Sequence, residues 1–115
     1  MLTNQLIENV DSVILPSLQT CKQLLAKHYG EKLQGVILFG SAARNDMTQE
    51  SDLDLLVLLL KPFDYFEELQ VIVDILYDTQ LEAKYWISAK PAAKDEFMAG
   101  TIQLYRNIQE EGIFL

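Results

Sequence analysis

The chain has 115 residues, a net charge of −8 and a sequence pI near 4.4. Half of its residues are apolar, which excludes a disordered chain, and the acidic surplus with no run of Lys or Arg argues against nucleic acid and anionic membranes as partners. The single cysteine, Cys21, excludes an internal disulfide and a cysteine-based zinc site. No apolar run approaches the roughly 20 residues that cross a bilayer, and Met1 to Val10 lack the basic start and apolar centre of a signal peptide. The expectation is one cytoplasmic domain over residues 1–115.

In chain order, Leu6, Ile7, Val10, Val13, Ile14, Leu18, Cys21, Leu24, Leu25 and His28 recur at steps of three and four. That spacing predicts a helical N-terminal third, kinked or split by Pro16 and stopped at Gly30. Cys21 falls in register with the apolar positions and reads as a small core residue, and His28 as a helix-end residue favoured by the dipole. Gly35-Val36-Ile37-Leu38-Phe39 is a short β-branched run closed by Gly40, which predicts a buried strand ending in a turn. Leu55 to Leu60 is an uninterrupted apolar run, the most hydrophobic strand in the chain, ended by Lys61-Pro62.

Asp64 with Glu67 resembles a capping box, and the helix it opens runs to about Asp78, burying Phe66, Leu69, Ile72, Val73 and Leu76. The β-branched run over 71–77 leaves a strand open as the alternative, in which case Asp74 would sit on it. Ala83 to Ala89 reads as a third strand and Pro91 as the start of a loop. Asp95 to Glu111 reads as a terminal helix with Phe97, Ile102, Tyr105 and Ile108 inward and Gly112 as its stop. The apolar tail Ile113-Phe114-Leu115 either folds back on the core or meets a partner. The fold class is α/β (α+β): a small mixed β-sheet of three to four strands flanked by helices.

The chemistry concentrates in two short stretches, Phe39-Gly40-Ser41-Ala42-Ala43-Arg44 and Ser51-Asp52-Leu53-Asp54-Leu55. Gly40 lets the backbone adopt conformations closed to other residues and lets a ligand come close. Ser41 to Arg44 can open a short helix whose free N–H groups favour an anion, and Arg44 adds a forked donor suited to phosphate oxygens. Asp52 and Asp54, two apart on a strand, project to one side, roughly 6.5–7 Å apart along the chain, where their oxygens suit a hard cation. Leu53 and Leu55 point the other way, into the core. Ser51 can fix the turn before the pair by a side-chain to backbone bond. A phosphate-holding turn facing a carboxylate pair is what transfer from a nucleoside triphosphate requires.

Gly40-Ser41, ten residues, then Asp52-Leu53-Asp54, with Arg44 and Ser51 in place, resembles the signature of polymerase-β-like nucleotidyltransferases. The short form is similar to the minimal nucleotidyltransferases (MNT), the antitoxins encoded beside HEPN-domain toxins. The resemblance implies the nucleotidyltransferase fold, with Asp52 and Asp54 catalytic and binding Mg²⁺, and Gly40, Ser41, Arg44 and Ser51 on the nucleotide. It further implies AMP transfer from ATP to a tyrosine of the HEPN ribonuclease, with the two proteins as a hetero-oligomer.

One departure stands against the pattern. Relatives often carry a third carboxylate on the strand after the intervening helix, and Ala83-Lys84-Tyr85-Trp86-Ile87-Ser88 has none. Trp86 or a neighbour occupies that slot, while Asp74 arrives early and Glu82 sits at the strand's edge. A decayed site that silences the toxin by contact alone is therefore the second reading. Transfer to a small molecule would need a substrate-binding extension that the chain lacks. His28, the only histidine, has no Ser-His-Asp arrangement around it, and Tyr85 or Trp86 is a candidate for stacking a base.

Overall fold

The structure, a computed structural model, describes residues 10–115. Leu6 and Ile7 of the expected N-terminal stripe lie outside them. Asp11 Oδ1 accepts from the Val13 N–H at 2.9 Å, and the turn leads into α1, Leu15–Tyr29. Pro16 therefore does not kink this helix but begins it, in the first turn, where its missing N–H costs nothing. Leu18, Cys21 and Leu25 are fully buried along one face, whereas Val13, expected inward, is exposed in the turn. Lys27 and His28 occupy the last turn, and Gly30 caps it.

A short 3₁₀ turn leads to β1, Leu33–Phe39, followed by β2, Leu53–Leu59. The intervening helix is interrupted rather than continuous: α2 spans Tyr65–Ile75 and α3 Tyr77–Glu82. Asp64 caps α2 by accepting from the Glu67 N–H at 3.0 Å, the backbone half of a capping box. The run over 71–77 is thus helical, and the strand alternative falls. Ile72 and Leu76 are buried as expected, but Phe66 and Val73 are exposed. β3, Ile87–Ala93, starts four residues later than the sequence suggests.

The sheet formed by the described residues has the order β3-β2-β1-β4, with β2 and β3 parallel and the other pairs antiparallel. Pro91 lies inside β3 instead of opening a loop. This is possible because β3 is an edge strand: alternate residues present their N–H outward, and Ile87, on that alternation with Pro91, donates its N–H away from the sheet, to Gln80 Oε1 at 2.6 Å. The terminal helix is likewise split, α4 at Lys94–Ala99 and α5 at Gln103–Glu111. Gly100, left-handed at φ +64°, breaks it. The break leaves Ile102 exposed while Phe97 and Ile108 stay buried.

The tail folds back. β4, Ile113–Phe114, pairs with β1, Leu115 donates its N–H to the Val36 carbonyl at 2.9 Å, and Lys22 Nζ donates to the Leu115 carbonyl.

Alternation along β2 assigns the two faces of the sheet. Leu53, Leu55, Val57 and Leu59 pack with Leu18, Cys21, Leu25 and Ile72 of α1 and α2. Leu56 and Leu58 pack with Ile37, Phe39, Phe97 and Ile108, under α4 and α5. Asp54 belongs to this second face by the same alternation. Among the described residues no helix is long and apolar enough to cross a membrane.

Candidate active site

β1 delivers the chain to Gly40, and β2 carries Asp54 directly across from Phe39 in the antiparallel register. At Gly40 the backbone takes φ +72° and turns sharply. A β-carbon built on Gly40 would overlap Asp54 Oδ2, so the glycine is demanded twice, by conformation and by the carboxylate against its bare face. Residues Gly40–Ala42 form a 3₁₀ turn extended by the bonds Arg44 N–H to Gly40 carbonyl, 3.2 Å, and Asp46 N–H to Ser41 carbonyl, 3.0 Å. As in any helical first turn, the Ser41 and Ala42 N–H groups have no carbonyl behind them within the turn.

The connection back to β2 is organised by Ser51, whose Oγ accepts from the Thr48 N–H at 2.8 Å. This is the local bond expected of it. Asp52 is exposed just before β2; Asp54 is partly buried in its first turn of pleat, with Leu53 and Leu55 turned into the core.

The Asp54 carboxyl is raised above the usual carboxylate range, first by burial and then by the charge of Asp52, with Lys90 and Arg44 pulling the other way. Burial first and the Asp52 charge second thus disfavour the ionised form of Asp54. Arg44 is shared: Nε lies 3.5 Å from Asp46 Oδ2 and Nη1 donates to Glu111 Oε1 at 3.0 Å. Glu111 ends α5, so this pair ties the terminal helix to the Gly40–Arg44 turn.

In the parallel register Ser88 lies opposite Asp54 and Lys90 opposite Leu56, so both share the Asp54 face. Trp86 precedes them, its carbonyl accepting from the Leu53 N–H at 2.8 Å, and its side chain is exposed. Asp74 is on α2, holding a 3.0 Å bond from Gln70 Nε2, and Glu82 ends α3. Both helices lie across the sheet from Asp54, so neither reaches the pair. Among the described residues no group of three or more His, Cys, Asp or Glu could hold a metal.

Lys90 and Glu111 were not found from the sequence. Lys90 shares with Ser88 the two-residue spacing of Asp52 and Asp54, but placing the strand at 83–89 left it outside. Glu111 gave no signal, because a helix-end glutamate is ordinarily solvated. What remains is a donor set of two carboxylates, a bare glycine cradle and an arginine. Mg²⁺ is commonly held by one or two carboxylates with water and substrate phosphate completing its shell; Asp52 and Asp54 supply that number, and Arg44 is no ligand for it.

The sequence model of the polymerase β nucleotidyltransferase family matches residues 19–111. The chain belongs to that family and is a nucleotidyltransferase. Among its relatives, "Putative protein adenylyltransferase MJ0604" of Methanocaldococcus jannaschii is 33% identical over 91 residues, 76% of this chain and 83% of that protein. "Putative protein adenylyltransferase MJ0128" of the same organism is 33% identical over 92 residues, 80% of this chain and 90% of its own length. A crystal structure described as a putative nucleotidyltransferase from Sulfolobus solfataricus aligns with a TM-score of 0.49 at 17% identity, covering 90% of this chain and 86% of the other.

Proposed function

We propose that the protein transfers AMP from Mg-ATP to a tyrosine hydroxyl of a HEPN ribonuclease toxin, acting as that toxin's cytoplasmic antitoxin in a hetero-oligomer. The observation that carries the nucleotide reading is the cradle in which Gly40, at φ +72°, leaves room for no β-carbon beside the Asp54 carboxylate. With no β-carbon on Gly40, a phosphate can approach the turn beside the carboxylate and its cation. The names of the relatives support a protein as acceptor. The HEPN target and the antitoxin role rest on the likeness of the motif to minimal nucleotidyltransferases.

Asp52 and Asp54 are the residues that would hold Mg²⁺. When bound, the ion offsets the charge of the triphosphate and polarises the phosphorus under attack. The chain supplies the rest. Ser41 presents its hydroxyl and, with Ala42, backbone N–H groups toward the phosphates, and Arg44, steered by Glu111 and Asp46, adds a forked donor. Ser51 holds the loop that aims Asp52. In the overall transfer, the acceptor oxygen bonds to the α-phosphorus, the bond to the β-phosphate oxygen breaks, pyrophosphate leaves and the hydroxyl proton passes to water. Positioning and electrostatics account for most of such an acceleration.

A specific observation favours the second reading, silencing by contact: Ser88 and Lys90, not a carboxylate, flank Asp54 on the neighbouring strand. The test is radiolabelling of a co-purified HEPN partner from α-labelled ATP. Label on wild type that disappears with Asp52→Asn and Asp54→Asn supports catalysis. A wild type that binds and silences the toxin without labelling it supports contact.

A further inference from the structure

A second feature lies on the opposite side of β3 from the carboxylate pair. α2, α3 and the edge strand enclose an open groove of about 340 Å³, walled by Leu69, Val73, Tyr77, Leu81 and Trp86. Val73, Tyr77, Leu81 and Trp86 are each more than half exposed. Val73 stands near the end of α2, and Tyr77 and Leu81, four apart, share one face of α3. These side chains have nothing to pack against among the described residues, and a row of large apolar side chains kept in water marks an interaction site.

The residues one position further on from Val73 and Tyr77, Asp74 and Asp78, are exposed, so acidic groups stand beside this part of the groove, whereas Glu82 turns toward Pro16, Ser17 and Thr20 of α1. An occupant must therefore bring an apolar ridge flanked by positive charge. A second copy of this chain would set acid against acid in a chain already at −8, and an anionic membrane is repelled for the same reason. A strand adding to the edge of β3 is also disfavoured: Gln80 Oε1 already takes the Ile87 N–H, and Pro91 has none to give. A helix fits the groove without needing those groups.

We propose that this groove seats a basic amphipathic helix of a partner protein, its apolar ridge against Val73, Tyr77, Leu81 and Trp86 and its Lys or Arg flank against Asp74 and Asp78. Val73, Tyr77 and Leu81 lie across the sheet from the carboxylate pair, while the strand wall of the groove runs through Trp86 to Ser88 beside Asp54, so docking is read with nucleotide left out.

Trp86 is the only tryptophan and reports occupancy directly. The probes are a synthetic Leu/Lys amphipathic peptide and a Leu/Glu peptide of the same pattern, titrated into the full chain without nucleotide while Trp86 emission is followed. The Leu/Lys peptide shifts the emission to the blue and saturates. Asp74→Lys with Asp78→Lys weakens it by at least about tenfold, as does Tyr77→Lys. Asp52→Asn with Asp54→Asn leaves it unchanged, so loss of nucleotide chemistry and loss of docking are read separately. The proposal is overturned by equal binding of the Leu/Glu peptide or by no saturable binding of either. Sedimentation of the free chain as a dimer that Tyr77→Lys dissociates would overturn it as well, by giving the groove to a second copy.

Discussion

Gly40 and Asp54 touch across the β1–β2 register: the glycine has no β-carbon where the carboxylate oxygen lies. This contact joins the two halves of the motif, which the sequence separates by a turn and a loop.

Gly40→Ala therefore suffers twice. A left-handed non-glycine residue costs roughly 1–2 kcal/mol, and the new methyl displaces the Asp54 carboxylate. Urea titration should show the variant folded but less stable by about that amount, and nucleotidyl transfer should fall far more than stability does. Activity within a few-fold of wild type would mean that the cradle is not used.

Asp54→Asn should separate stability from function. The Asp54 carboxyl is raised by burial and by Asp52, so its charge works against folding at neutral pH, and the neutral amide relieves that. Thermal melts in chelator should give an unchanged or slightly higher Tm, with transfer abolished. Added Mg²⁺ should raise the Tm of wild type and not of the variant.

Ser88→Asp puts a carboxylate opposite Asp54 on the same face. The third like charge should lower the Tm in chelator, and Mg²⁺ should recover more for this variant than for wild type. Equal Mg²⁺ responses would mean that the register does not bring Ser88 to the ion.

Cys21 gives a pH dependence remote from the site. Burial pushes its thiol up to about 11, while an unfolded thiol ionises near 8.5. Because the folded value is the raised one, the thiol's contribution is fully present below about pH 8.5 and is lost as pH rises toward about 11. Across that window wild type should lose more stability in urea titrations than Cys21→Ala, and the native thiol should resist alkylation at pH 8.

The sequence made the motif legible because its requirements are local. Gly40 and the Asp52–Asp54 spacing follow from chain geometry, and Leu53 and Leu55 turn inward because alternation leaves them no other face. α1 is legible from its stripe, yet Pro16 signals a break because a proline that starts a helix looks the same in sequence as one that bends it. β3 was displaced because Pro91 signals a loop unless the strand is known to be an edge, and edge position is a property of the whole sheet. That displacement hid Lys90. Phe66 and Val73 keep the helical period of core residues, so their exposure became visible only once α2 had a definite side. The tail of β4 is two residues long, too short for any periodic signal, and pairing with β1 alone defines it.

The most direct measurement of the central claim is calorimetric titration of ATP into the protein with and without Mg²⁺, for wild type and for Asp52→Asn with Asp54→Asn. The account predicts Mg²⁺-dependent binding to wild type that the double substitution removes while its fold, followed by circular dichroism, is unchanged. Binding that is equally tight in the double variant, or absent from folded wild type, would contradict it.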